Sequence, residues 1–156
     1  MRLLRIKRAT HVPRFLKAVF LFLLPLLVLA YPLDLGLSHL LRNKTGKYSG
    51  ELEVWNDIYD SKIDSDIVIY GSSRAWTHFN SELLQDGLEL SVYNLGLDAH
   101  DFWLQYLRHR QFLARNRKPG VIVLSLDSFC LVKRADFYNY TQMMPFMLWD
   151  PFVYSY

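Results

Sequence analysis

The stretch D-I-V-I-Y-G-S-S-R-A, residues 66–75, decides the fold. It begins with a short apolar run rich in β-branched side chains, and Gly71 ends this run. A run of this length that stops at a turn residue predicts a buried β-strand. The two serines that follow therefore lie on a turn at the carboxyl end of a strand.

Two more runs of the same kind lie further along the chain. Residues 91–94 read S-V-Y-N and stop before Leu95-Gly96, and residues 121–126 read V-I-V-L-S-L. Helical patterns separate the runs, over residues 81–88 and in a longer segment before the third run. This alternation predicts an α/β fold with a parallel sheet and helices on both faces. In such sheets ligands bind at the carboxyl ends of the strands.

The longer helical segment also predicts which of its side chains are buried. Helical spacing assigns five residues to the buried face: Trp103, Tyr106, Leu107, Leu113 and Ala114. Four arginines are then expected on the solvent side and in the last turns: Arg108, Arg110, Arg115 and Arg117.

Composition and charge exclude several classes of protein. A hydrophobic content of 51% excludes a disordered chain. Of the 18 basic residues, six lie in residues 1–17, which contain no acidic residue. The rest of the chain has 12 basic and 15 acidic residues, so only the N-terminal segment is basic. A nucleic-acid partner is not expected, because that binding needs basic charge spread over a folded face. The single cysteine, Cys130, excludes an intrachain disulfide and a zinc site of paired thiolates, and a buried thiol is expected there. No metal or other cofactor is predicted.

The N-terminal part predicts a membrane anchor. Residues 1–17 form a basic head, and residues 18–33 contain no charged residue. As a helix, residues 18–33 span about 24 Å, and the flanking Phe15 and Leu16 bring this close to the roughly 30 Å hydrocarbon core of a bilayer. The positive-inside rule predicts a single-pass protein of the inner or plasma membrane, with a cytoplasmic N-terminus and an extracytoplasmic C-terminal domain. The alternatives are a signal peptide cleaved near residues 28–30 and a buried helix of a soluble protein.

The turn after the first strand is the candidate site. A serine there presents its hydroxyl above the sheet, where its own backbone N–H and the helix dipole favour a developing oxyanion. Gly96, after the second strand, can bring a further N–H to the same point because it has no side chain. The other interpretation is that Gly71 and Gly96 only make tight turns and that Ser72 or Ser73 caps a helix. Spacing alone favours this second interpretation.

Residues 66–75 resemble the first sequence block of the SGNH/GDSL hydrolase superfamily, with G-S-S in place of G-D-S. Y-N-L-G, residues 93–96, is similar to the second block, and residues 121–127 fall where the third block follows its strand. With the anchor, the chain resembles membrane-anchored SGNH-like proteins of bacterial envelopes. These are related in plan to the D-alanine transfer protein of teichoic-acid modification and to exopolysaccharide O-acetylation proteins. The resemblance covers about residues 62–130 and implies a flavodoxin-like sheet.

The resemblance also implies roles for individual residues. Ser73 is the implied nucleophile, and the N–H groups of Ser73 and Gly96 are the implied oxyanion donors. Ser72 stands where the superfamily has aspartate, so a structural role is expected for it. Asn94 is a possible supporting residue. Arg74 is expected either to bind an anionic substrate group or to be a solvated surface arginine.

The chain departs from the superfamily pattern in two places. Asp127 stands nearest to the usual asparagine of the third block, and an ionised carboxylate accepts hydrogen bonds but cannot donate one to an oxyanion. We expect it to orient a loop or a partner. The general base of the superfamily comes from a D-x-x-H segment, which does not occur in these residues. His78 and His100 are the candidate substitutes, whereas the others lie in the head, the linker and a helix surface: His11, His39 and His109.

The remaining boundaries follow from these assignments. Residues 34–61 are predicted as a linker with a short helix, and residues 62–156 as an SGNH-like domain. The aromatic tail, residues 137–156, shows no clear helix or strand period. It could cover the sheet edge, dock on a membrane partner or lead into further strands. The last is favoured, because the sheet has three of the five strands that the resemblance implies, so the chain is expected to be an N-terminal portion.

The sequence thus favours a membrane-anchored esterase or acyltransferase that acts on a cell-envelope glycan through Ser73. It is expected to be inactive alone, because a serine hydroxyl is a poor nucleophile without a base. The alternative is a non-catalytic module, held at the membrane, that binds an envelope polysaccharide or assists a membrane acyltransferase. A third possibility is a short inner-membrane protein without SGNH kinship.

Overall fold

Three parallel strands form the sheet, and each arises from one of the predicted apolar runs. They are β1 (Ile67–Tyr70), β2 (Val92–Asn94) and β3 (Val121–Leu124), in the order β2-β1-β3. Both outer strands pair with β1, and Ile67 is in register with Val92 and with Val121. The predicted α/β fold with a parallel sheet is therefore confirmed.

The computed structural model describes residues 11–43, 49–98, 102–132, 140–146 and 150–154. The helices are α1 (His11–Arg42), α2 (Ser49–Tyr59), α3 (Ser73–His78), α4 (Ser81–Leu88), α5 (Phe102–Arg115) and α6 (Pro151–Tyr154). Two 3₁₀ turns, Tyr140–Gln142 and Met144–Phe146, precede α6. The chain divides into two units, residues 1–39 and residues 40–156.

Most of α1 belongs to the first unit. The helix has 32 residues, contains Pro25 and Pro32, and extends beyond the predicted residues 18–33 at both ends. Its length and its apolar composition make it a candidate membrane span, a test that signal sequences near an N-terminus also pass. Nearly all of its large apolar side chains are exposed to solvent.

The core of the second unit lies on both faces of β1. On one face, Val68 and Tyr70 pack with side chains of α2 and α5. On the other face, Ile67 and Ile69 pack with Ala75 of α3. All four residues of β1 are buried, whereas Val121, Ile122 and Leu124 of β3 are exposed. Helices therefore cover both faces at β1, and within the described residues β3 is an edge strand with little cover.

Helix α2 lies in the region predicted as a linker, and it is part of the core. Val54, Trp55 and Ile58 face the same cluster as Val68. Trp55 is fully buried, and its indole N–H donates to Gln142 Oε1 at 2.7 Å. The α/β unit therefore begins before residue 62.

The aromatic tail is also part of the core, within its described residues. Met143, Phe146 and Val153 are buried in the α2–α5 cluster. The Phe146 ring stacks on the Tyr59 ring at 3.9 Å between centroids. Neither the sheet edge nor a membrane partner is needed to cover these side chains.

The predicted buried face of α5 was wrong in part: Leu107 is buried and Leu113 packs against the core, but Ala114 is exposed. Trp103 and Tyr106 are exposed, whereas Arg108, expected on the solvent side, is fully buried. The actual buried face is Leu104, Gln105, Leu107, Arg108, Gln111 and Phe112. Arg108 and Gln111 each donate there, to carbonyls of the loop after β2 and to the Asp150 carboxylate, and a hydrophobicity pattern does not show such bonds.

Candidate functional site

Gly71 lets three elements meet at the end of β1. A Cβ atom at this position would lie 2.5 Å from the Ala75 Cβ and 2.8 Å from the Ser125 Cβ. Both distances are too short for real side chains, so only glycine fits between α3 and the chain after β3. The turn that follows is thereby held against the carboxyl end of β3.

Ser72 is the N-cap of α3. It is 0% exposed, its backbone is extended, and its Oγ accepts a hydrogen bond from the Arg74 N–H at 3.2 Å. The same hydroxyl donates to Oδ2 of Asp127. Ser72 thus closes the start of the helix and joins it to the loop after β3.

Asp127 accepts hydrogen bonds from both sides of the turn. Besides the Ser72 hydroxyl, its carboxylate accepts from Nη1 of Arg74 at 3.1 Å. The Asp127 side chain is nearly buried, whereas the Arg74 side chain is 72% exposed. Asp127 therefore orients the turn as an acceptor, and Arg74 is already engaged by this carboxylate.

Ser73 is the first residue of α3 and is half-buried. Among the described residues, none forms a hydrogen bond with its Oγ, while its carbonyl accepts from Thr77 Oγ1 at 2.7 Å. His78 lies at the last position of α3, and its Nδ1 is 2.8 Å from the Arg74 carbonyl oxygen. His100 lies outside the described residues. No described base therefore contacts the Ser73 hydroxyl.

The loop after β2 runs beside this turn. Leu95 N–H donates to the Ile69 carbonyl at 2.7 Å, and Leu97 N–H donates to the Gly71 carbonyl at 2.9 Å. Gly96, between them, lies so close to α3 that a Cβ would be 2.7 Å from the Trp76 nitrogen. The second predicted glycine thus lies beside the helix that Ser73 begins.

Asn94 fixes this loop to α3. Its Nδ2 donates to the carbonyls of Ala75 and Phe79 at 2.9 and 3.0 Å. Its Oδ1 accepts the Gly96 N–H at 2.9 Å. An oxyanion at this place would have to share or replace that bond.

Two groups near the site were missed by the sequence interpretation. Arg108 donates to the carbonyls of Leu95 and Gly96. The Tyr70 hydroxyl, at the end of β1, is 3.0 Å from Nδ1 of His109. Burial raises the pKa of Tyr70 and lowers the pKa of His109. The only sequence signal for Arg108 was its i, i+4 spacing from Leu104 and to Phe112, two apolar residues of the buried face.

Within the described part of the chain, no three His, Cys, Asp or Glu side chains are grouped so that they could hold a metal ion. Cys130 is a buried thiol, and its N–H donates to the Asp127 carbonyl at 3.0 Å.

Comparisons with known protein families, with curated proteins and with solved structures find no match.

Proposed function

We propose that this chain is a membrane-anchored, SGNH-like protein in which Ser73 accepts an acyl group during ester hydrolysis or acyl transfer on a cell-envelope glycan. One observation carries the proposal. Ser73 begins α3 at the carboxyl end of β1, half-exposed, with no described side chain bonded to its hydroxyl. A hydroxyl in that position is open to an acyl donor.

The strand order supports the same proposal. The order β2-β1-β3 is the beginning of the flavodoxin-like order 2-1-3-4-5. In that fold ligands bind where successive connections diverge, which here is between the carboxyl ends of β1 and β3. The hydrogen bond from Ser72 to Asp127 crosses this point.

In the proposed step, Ser73 Oγ forms a bond to the acyl carbon and the ester C–O bond of the donor breaks. The hydroxyl proton passes to a base, and the departing alkoxide takes up a proton. No described residue supplies that base, so the acid–base group comes from a segment or partner outside the described residues. The Ser73 N–H and the Gly96 N–H are the proposed oxyanion donors.

A second function rests on a different observation. The absence of a described base at Ser73 suits a non-catalytic module that binds glycan by stacking on Trp76, which is 39% exposed and whose indole lies beside Gly50. Such a module would assist a membrane acyltransferase. In both cases α1 is the proposed single-pass anchor in the inner or plasma membrane, with its N-terminus in the cytoplasm.

Acylation of the full chain with p-nitrophenyl acetate separates the two functions. This ester has a good leaving group and needs little help from a general acid. The chain is purified in detergent micelles, and intact mass and peptide mapping locate any acetyl group. Ser128→Ala is the matched control, since Ser128 is an exposed serine beside Asp127.

In alkaline buffer, where hydroxide takes the proton that the missing base would accept, we expect slow acetylation at residue 73 in the wild type and in Ser128→Ala, and none there in Ser73→Ala. Equal acetylation of many surface residues, with no preference for Ser73, would refute the enzymatic proposal. Retention on an immobilised envelope polysaccharide, abolished by Trp76→Ala, would then favour the binding module.

A further inference from the structure

Arg108 reaches from the core of the α/β unit to the loop after β2. Its side chain is 0% exposed, and its guanidinium carbon lies 4.9 Å from the centre of the Trp55 ring. Nη1 donates to the Leu95 carbonyl at 3.2 Å and to the Gly96 carbonyl at 3.1 Å. One nitrogen of this side chain thus bonds to two successive peptide groups.

The Leu95 carbonyl and the Gly96 N–H belong to the same peptide group. Because that group is planar and trans, its oxygen and its N–H point in opposite directions. A cation that bonds to the oxygen therefore turns the Gly96 N–H away from the core. There the N–H meets Asn94 Oδ1, beside α3. The positive charge also polarises the peptide and strengthens the N–H as a donor.

Packing alone does not explain an arginine at this place in the core. Within the described residues, Nε and Nη2 of Arg108 are buried without a hydrogen-bond partner. Burial lowers its pKa to about 9, which leaves the group charged at neutral pH. Buried ions are often no more stabilising than apolar side chains of similar size. The arginine therefore needs an explanation beyond packing.

Glu51 supplies the opposite charge to the same loop. It is buried, its Oε1 accepts the Asp98 N–H at 3.1 Å, and its charge acts on Arg108. α2 thus holds an N–H of the loop while α5 holds its carbonyls. The orientation of the loop is determined from two helices of the core.

We propose that Arg108 is a positioning residue, which fixes the Leu95–Gly96 peptide so that the Gly96 N–H faces the Ser73 side of the sheet. This inference rests on the proposed function. In the resting state Asn94 Oδ1 accepts the N–H, and in the acylation step the oxyanion replaces it. Arg108 acts through this peptide and does not contact the acyl group.

Two measurements on the full chain in detergent micelles test the proposal. The first is the ¹H–¹⁵N resonance and the exchange rate of the Gly96 amide. The second is the rate of Ser73 acetylation by p-nitrophenyl acetate, separated into its saturating rate and its half-saturating concentration. The variants are Arg108→Lys, Arg108→Met and Arg108→Met with Glu51→Gln, since Glu51 alone would be a buried charge without its cation. Arg110→Met is the matched control, because Arg110 packs on Phe152 and Tyr106.

We expect Arg108→Met with Glu51→Gln to keep the fold, to shift the Gly96 resonance and to accelerate its exchange. The saturating acetylation rate should fall by about tenfold to a hundredfold, in the range that loss of one oxyanion donor can cause, with an unchanged half-saturating concentration. Arg108→Lys should restore part of the rate, and Arg110→Met should change neither measurement.

A folded variant without Arg108 whose Gly96 resonance and exchange rate equal those of the wild type would overturn the proposal. An equal loss of rate through weaker binding would also contradict it. If the wild type is not acetylated at Ser73, the proposed function fails. The Gly96 resonance then still decides whether Arg108 orients this peptide.

Discussion

Ser72 donates its hydroxyl proton to Oδ2 of Asp127, 55 positions further along the chain. This hydrogen bond joins the turn after β1 to the loop after β3. It lies at the carboxyl end of the sheet, where the connections to the two outer strands diverge. The neighbouring Ser73 has no such bond among the described residues. Two adjacent serines therefore have separate roles: one holds the site together, and the other is open to a ligand.

Alanine at Ser72 should lower the free energy of unfolding, whereas alanine at Ser73 should leave it almost unchanged. Ser72→Ala removes a buried bond to a carboxylate and the cap of α3, so we expect a loss of about 1–3 kcal/mol in the free energy of unfolding. Ser73→Ala should change this free energy by less than about 0.5 kcal/mol. Denaturant unfolding of both variants measures the difference. Equal stability of the two would contradict the structural role of Ser72.

Gly96 should not tolerate a side chain. In Gly96→Ala the new Cβ would lie 2.7 Å from the Trp76 nitrogen and 3.0 Å from its Cα, so backbone must move. We expect a loss of about 1–3 kcal/mol in the free energy of unfolding. Gly87→Ala is the matched control, because nothing lies within 4 Å of a Cβ there. That change, inside α4, should stabilise by about 0.5–1 kcal/mol. A Gly96→Ala variant as stable as the wild type would show that the loop has room.

His109 should make stability depend on pH. Burial lowers its pKa below the ordinary 6.5, so the unfolded chain takes up a proton at higher pH than the folded chain does. The contribution of His109 to the free energy of unfolding is therefore fully present above pH 6.5 and falls as the pH decreases from there toward the folded pKa. His109→Gln should flatten this part of the profile. NMR titration of the imidazole checks the direction, and a midpoint at or above 6.5 would contradict it.

Asp150 should be essential for holding the tail on the core. Its buried carboxylate accepts from Tyr59 Oη at 2.8 Å, Gln111 Nε2 at 3.1 Å and Arg115 Nη2 at 2.6 Å. Although burial alone would raise the pKa of Asp150, these bonds and the Phe152 N–H lower it below its ordinary value. Asp150→Asn should cost about 2–3 kcal/mol.

In limited proteolysis of Asp150→Asn, we expect the tail to be cleaved at earlier times than the strands of the sheet. Asp64→Asn is a suitable control, because Asp64 is an exposed partner of Arg117. Uniform cleavage across the unit in Asp150→Asn would show that the tail is not a separate weak point.

The sheet could be predicted because its signal is local. Each strand is a short apolar run bounded by turn residues, and burial of β1 on both faces removes the need for polar alternation. The neighbourhood of Ser73, Asn94 and Gly96 followed in turn, since parallel strands end at one edge. Helix α2 was also predicted, although its place in the core was not.

The contacts that the sequence did not reveal depend on partners distant along the chain. Arg108 carries a charge, so an amphipathic pattern assigned it to solvent; its carbonyl acceptors are set by the loop after β2. Trp103 and Tyr106 are apolar at helical spacing, yet they are exposed, and the buried face of α5 carries Gln105 and Gln111 beside its apolar side chains. Hydrogen bonds between a side chain and a distant backbone group do not produce a repeating pattern in the sequence.

The packing of α2 has a consequence for how the protein is made. Trp55 finds its hydrogen-bond acceptor 87 residues later, and Tyr59 finds Asp150 after 91. Synthesis proceeds from the N-terminus, so α2 and all three strands leave the ribosome well before these partners. A nascent chain that ends before Gln142 lacks Met143, Phe146 and Val153, so the part of α2 that these side chains cover stays exposed until the tail is made.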